Sequence, residues 1–231
     1  MKKAYLVLLS LMLVNIYHTQ AQTNKVYTTS AGELIFSFAT IDNAGNDNGN
    51  IVRFSPFFNV QNLVNFDPSN NLGFFTGLDL RNVGFIYDVP NSTIRKKFRS
   101  YNIGIPVGIK LGNMGGSFIF GGYEIEFPVN YKEKTFVNEA KTDKFNVWFS
   151  SRQPAYYSTI MAGIQFKHGA NLKFKYYLTG FFNKDYTEIE NGTKIKPYEN
   201  IDVNVFYISL CFNLFKNTDI DLPAVKASEV Y

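Results

Sequence analysis

The sequence predicts an all-β fold, a single eight-stranded antiparallel up-and-down transmembrane β-barrel. Three observations lead there. Stretches of period-two alternation recur along the chain, and the polar connections between them alternate long and short. Aromatic residues make up 17% of the chain and charged residues only 18%, yet after residue 21 no apolar run is long enough for a membrane-spanning helix. Such a chain satisfies its backbone in lipid only by closing a barrel.

The N-terminus reads as an export signal. Lys2 and Lys3 precede an apolar run from Ala4 to Ile16, and Thr19-Gln20-Ala21 offers small residues for cleavage after Ala21. The run is shorter than the ~20 residues a spanning helix needs, and no cysteine follows the cut for lipidation. The expected organisation is a cleaved signal at 1–21, a barrel at 22–215 and a periplasmic tail at 216–231. Loss of Lys2 and Lys3 lowers the formal charge from +4 to +2, which is no nucleic-acid footprint. The one cysteine, Cys211, has no internal partner for a disulfide.

The expected strands follow in order. Glu33 to Thr40, Ile51 to about Phe66, and Leu72 to about Tyr87 alternate with some noise. Tyr101 to Leu111 alternates cleanly: Ile103, Ile105, Val107 and Ile109 oppose Asn102, Gly104, Pro106, Gly108 and Lys110. Ser117 to Val129 sets Ile119, Tyr123, Ile125 and Phe127 against Gly122, Glu124 and Glu126. Tyr156 to Lys167, Leu172 to Phe182 and Val203 to Phe215 complete the set. Tight turns are expected at 67–71, 112–116 and 168–171, all rich in Asn, Gly, Pro or Asp. Longer connections are expected at 41–50, 88–97, 130–155 and 183–200. Short periplasmic turns and long extracellular loops have this asymmetry, with both termini periplasmic.

Alternation alone does not tell a membrane barrel from a soluble one with an apolar inside. The polar face carries most of the mid-strand glycines, which suit a crowded interior, and too little charge to solubilise a barrel. Tyr and Phe also gather at strand ends, as interfacial girdles do. The polar face therefore points inward. It brings Arg53, Asp79, Arg81, Lys110, Glu124, Glu126, Lys173 and Lys175 into the lumen. An eight-stranded barrel is just wide enough for side chains to fill, so these charges are expected to pair. The alternative is a narrow conduit or small-ligand site that uses them.

The stretch from Tyr101 to Lys110, with its Ile105-Pro106, resembles a strand of the small porin-like outer-membrane barrels of Bacteroidetes, which are similar in shape to OmpA and OmpX. The stretch from Gly77 to Ile86 looks similar to the same group. The end of the last strand, Phe212-Asn213-Leu214-Phe215, resembles the aromatic-ended signal read by the barrel-assembly machinery. The resemblance covers the mature chain and implies the outer membrane of a Gram-negative bacterium. It implies no defined activity, and the tail from Lys216 departs from members that stop at the last strand.

Some barrels of this size act on lipid A, which would require a serine activated by histidine near the outer leaflet. The only histidine after the signal, His168, falls in an expected periplasmic turn, so no catalytic residue and no enzymatic role is expected. One cysteine and one histidine give no transition-metal site, Asp42 and Asp47 lack calcium-loop spacing, and no cofactor is expected. The triplets starting at Asn91 and Asn191 match a glycosylation pattern but read as polar loop chemistry. The loop 130–155 mixes charges and holds the only tryptophan. Trp148, Phe149 and Arg152 are candidates for recognition, or Trp148 anchors the loop at the membrane surface, or the loop aromatics extend the strands into a hairpin above it. The expected partners are outer-membrane lipid, the assembly machinery during insertion, and an unidentified extracellular or periplasmic protein. No nucleic-acid partner is expected.

Overall fold

The computed structural model describes residues 25–43, 46–47, 51–190 and 192–219. The expected signal peptide lies outside these residues. Thirteen strands form among them, in chain order β1 (Lys25–Asn43), β2 (Asn46–Asp47), β3 (Arg53–Ser55), β4 (Val60–Asp67), β5 (Leu72–Asp88), β6 (Ile94–Gly112), β7 (Phe118–Val137), β8 (Ala140–Trp148), β9 (Tyr157–Gln165), β10 (Ala170–Tyr177), β11 (Glu188–Glu190), β12 (Thr193–Ile195) and β13 (Ile201–Asp219). Eight of them pair antiparallel in the order β13-β10-β9-β7-β6-β5-β4-β1, and β1 pairs with β13 to close the ring. The protein is an eight-stranded up-and-down β-barrel, and closure leaves no stave of it as an open edge.

Alternation explains which side chains go where. On β6 the even positions 102 to 110 are buried, while Ile103, Ile105, Val107, Ile109 and Leu111 are exposed outward. On β13 the odd positions 203 to 211 are buried and Ile208, Leu210 and Phe212 are exposed. The outside of the wall is thus apolar and the inside polar, inverted relative to a water-soluble fold. From Tyr101 to Leu111, β6 covers roughly 33 Å of strand, or about 25 Å of barrel height at a tilt near 40°.

The turns at one end are short for local reasons. The Ser69 hydroxyl accepts hydrogen bonds from the amides of Asn71 (3.2 Å) and Leu72 (3.0 Å). Asn113 accepts one from the Gly115 amide at 3.0 Å. Gly112 (φ +133°) and Gly169 (φ +84°) take backbone conformations that a side chain would strain.

The other end differs from the expected run of loops. β5 and β6 continue into a tall hairpin with only residues 89–93 between them, and β7 and β8 form a second hairpin that pairs onto β6. Alternation persists there, but its outward positions change from apolar to charged, which is why it reads as loop in sequence. The expected single run from Ile51 to Phe66 is two strands, broken at Pro56-Phe57-Phe58-Asn59. Phe58 there takes a left-handed φ of +62°. β10 stops at Tyr177 rather than Phe182, because the chain leaves the wall and buries Phe181 and Phe182 in the barrel mouth. β13 stays paired to Asp219, past the expected start of the tail. Residues 220–231 lie outside the described residues.

Candidate functional site

The barrel interior is divided into three levels. The middle one is an ion network around Arg81, whose guanidinium reaches Glu33 at 2.6 Å (from Nη1) and Asp79 at 2.5 Å (from Nη2). Its Nε lies 3.9 Å from Glu124. Lys173 joins Glu33 at 3.0 Å, and Lys175 bridges Glu124 at 2.7 Å and Glu126 at 2.5 Å. Glu126 also accepts hydrogen bonds from Tyr177 (2.7 Å) and Asn102 (2.6 Å), and Ser209 donates to Glu33. All these charged side chains are buried. Packing against them is tight enough that a Cβ on Gly104 would lie 2.0 Å from Glu124 Oε1. Fully ionised, four carboxylates face three bases here. Asp79 Oδ1 has no hydrogen-bond partner among the described residues.

Above the network, toward the hairpins, sits an aromatic cap. Phe85 packs on Phe98 (ring centroids 4.8 Å apart) and edge-on to Phe181 (5.1 Å). Phe182 meets Phe98 at 5.2 Å and stacks on Tyr198 at 4.2 Å. Phe181, Phe182 and Tyr198 come from the segment between β10 and β13, folded into the mouth. Gln153 and Tyr157 lie at its base: Gln153 donates to Ser100 (2.6 Å) and Tyr157 (2.9 Å), and Tyr157 donates to the Phe181 carbonyl (2.9 Å).

Below the network, at the turn end, is a vestibule of about 340 Å³. Phe75, Phe120 and Met161 form part of its wall, with Asp79 and Lys173 toward the network and His168 and Asn171 nearer the turns. Lys110 binds Asp67 at 2.6 Å and also reaches Tyr27 and Asn65, each at 3.1 Å. Asn171 Oδ1, like Asp79 Oδ1, is buried without a partner among the described residues.

Of the residues expected in the lumen, Asp79, Arg81, Glu124, Glu126, Lys173 and Lys175 meet in one network, and Lys110 forms a separate pair nearer the turns. Arg53 is buried but stands apart. It donates to the Asn82 side chain (2.6 Å) and carbonyl (3.2 Å), not to any acid of the network. Sequence reasoning missed Glu33 and Asp67, the carboxylates that complete the two clusters. Glu33 shares the inward parity of Ile35 and Ser37, which is the signal the sequence offers for it, and Asp67 falls at the start of an expected turn.

The three loop candidates separate. Trp148 and Phe149 are 65% and 77% exposed. Arg152 turns inward to clasp two loops. It bonds Tyr186 (2.9 Å) and Glu188 (2.6 Å), and its guanidinium sits 4.7 Å from the ring centres of both Phe145 and Tyr186. Arg152→Ala is expected to cost about 1 kcal/mol or less, since the pair is partly solvated, yet to speed proteolysis between Asn183 and Tyr198. Unchanged cleavage would remove its clasping role. Among the described residues no group of three or more His, Cys, Asp or Glu side chains is placed to hold a metal ion.

The sequence matches no protein-family model and no curated protein. Several solved structures are similar. They include Ail, the attachment invasion locus protein of Yersinia pestis, at 11% identity and TM-score 0.35 over 83% of this chain and 99% of that one. Neisserial surface protein A matches at 10% and 0.38 over 80% and 98%. CarO of Acinetobacter baumannii matches at 9% and 0.36 over 80% and 97%. These are small outer-membrane β-barrel proteins. The barrel fold itself rests on the closed ring of strands described above.

Proposed function

We propose that this chain is a closed outer-membrane barrel of structural or interaction type, exported through its N-terminal signal and inserted with the hairpin end outward. It presents the β5–β6 and β7–β8 hairpins and the cap segment to the exterior. The observation that carries this reading is the filled interior. Ion pairs with Arg81, Lys173 and Lys175 occupy the middle, and an aromatic cap lies above them. A water path through an eight-stranded wall would have to displace both layers, and lone buried charges would then be left behind. The outward apolar wall supports a bilayer setting.

The folded protein in planar bilayers is expected to give no steady conductance, while its gel migration shifts on heating as a folded barrel's does. Steady single-channel steps would replace this reading with a transport one. The turn-end vestibule favours a second reading, capture of a small hydrogen-bond donor by the unpartnered oxygens of Asp79 and Asn171. Under that reading Asn171→Leu abolishes binding of the donor without altering the heat shift, and retained binding would dismiss it.

A further inference from the structure

The register of the two hairpins sorts charges that are mixed along the sequence. On the three-stranded ledge β6–β7–β8, Lys97 stands opposite Lys134, which stands opposite Lys144. One row nearer the barrel, Arg99 stands opposite Lys132. Cross-strand neighbours share a face, and residues two apart on a strand share it too. These five bases therefore lie together on the outer side of the ledge, while Phe98 and Tyr131, one position away, are buried in the barrel. A bulge between Thr135 and Phe136 resets the register and adds Lys141, opposite Phe136. Neighbouring acids go elsewhere. Glu133 faces the interior side, bonded to Lys96 (3.2 Å) and Tyr131 (2.9 Å), and Asp88 is bound to Arg95 at 2.6 Å.

None of Lys97, Arg99, Lys132, Lys134, Lys141 or Lys144 forms an ion pair among the described residues. Like charges directly opposite one another on a sheet are destabilising. Burial, together with Arg99, Lys132, Lys141 and Lys144, draws the Lys134 ammonium below the usual lysine range. Within the chain Lys97 also rests over the Phe136 ring, 4.8 Å from its centre, and an external anion would relieve the rest of the face. Its place in the fold says which one. The row below Arg99 and Lys132 holds Tyr101, Asn130 and Trp148, and one row further down Ile103 and Phe127 begin the exposed apolar wall. The basic face thus continues the lipid-facing wall upward, with Arg99 and Lys132 nearest the headgroups and Lys97, Lys134 and Lys144 one row further out.

We propose that this face binds the phosphate groups of the anionic lipids surrounding the barrel in the outer leaflet. The idea rests on the membrane placement given above. Bases near an anionic surface strengthen attachment about fivefold each, so removing three should weaken phosphate preference roughly a hundredfold.

Trp148, the only tryptophan, lies at the foot of the face and reports on it. The test uses the full barrel in phosphatidylcholine vesicles that contain either brominated phosphatidic acid or an equal fraction of brominated phosphatidylcholine. The phosphatidic acid is expected to quench Trp148 several-fold more effectively. The excess should vanish at high salt and in a Lys97→Gln, Lys134→Gln, Lys144→Gln variant. This variant removes repulsion and should fold at least as well, which the heat shift checks. Equal quenching by both lipids would overturn the proposal and leave the membrane placement standing. Quenching by neither would overturn the membrane placement itself. If inorganic polyphosphate binds the face while the lipids quench equally, the partner is a soluble polyanion and the lipid assignment falls.

Discussion

Replacing Arg81 by methionine is expected to cost roughly 3–5 kcal/mol of barrel stability, the largest effect of any single charge change in the chain. The guanidinium holds Glu33 and Asp79 by direct contacts and faces Glu124 from the same interior level. Without it, carboxylates buried in a low-dielectric interior face one another with only Lys173 and Lys175 to offset them. Replacing an entire network with apolar groups can be neutral; removing one partner is not. Asp79→Asn should cost much less, about 1 kcal/mol, because the network carries one more acid than base and Arg81 keeps Glu33. Lys141→Ala on the exposed hairpin should stay within about 0.5 kcal/mol. Urea unfolding of the folded protein in detergent, read by heat-modifiable migration, ranks the three. If Arg81→Met and Lys141→Ala lie within error of each other, the network contributes nothing to holding the barrel together.

How much of this was legible in the sequence depends on where alternation stays hydrophobic. Between Tyr101 and Leu111 the outward face is uniformly apolar, so strand, face and lumenal Lys110 could all be read directly. Further along β6 toward its start, the outward residues are Arg99, Lys97 and Arg95. The same period of two is present there, but a change from lipid to headgroup and water turned its apolar member into a base. The strands therefore appeared to end about where the apolar wall does. The basic face was hidden for the same reason, since Lys132, Glu133 and Lys134 look like a neutralising mixture until parity sends Glu133 to the other side. Arg152 illustrates a different limit. Sequence placed it beside Trp148 and Phe149, but its partners Tyr186 and Glu188 belong to a segment more than thirty residues away. The cap was hidden for a related reason: Phe182 shares the outward parity of Leu172, Phe174 and Leu178, and only the chain's turn at the mouth takes it inside beside Phe181.

The cap is also where a second large effect is expected. Phe182→Ala removes a ring that touches Phe85, Phe98, Phe181 and Tyr198, a loss of roughly 3–5 kcal/mol in a packed core. The loss should fall on the cap rather than on the barrel. The segment from 178 to 200 is held mainly by these rings, by the Arg152 clasp and by the bond from the Phe181 amide to the Val203 carbonyl (2.8 Å). Each 1.4 kcal/mol is a factor of ten in an opening equilibrium, so cleavage of this segment by added protease should accelerate about a hundredfold or more. The closed ring of strands, and with it the heat shift, should persist. Conductance should remain absent, because the ion network below the cap still fills the lumen. Only the combination with Arg81→Met, if it still inserts, removes material from both levels. A Phe182→Ala protein that conducts steadily by itself would show that the cap, not the buried charges, seals the barrel, and a protein whose cleavage rate does not change would show that the rings do not hold the segment in place.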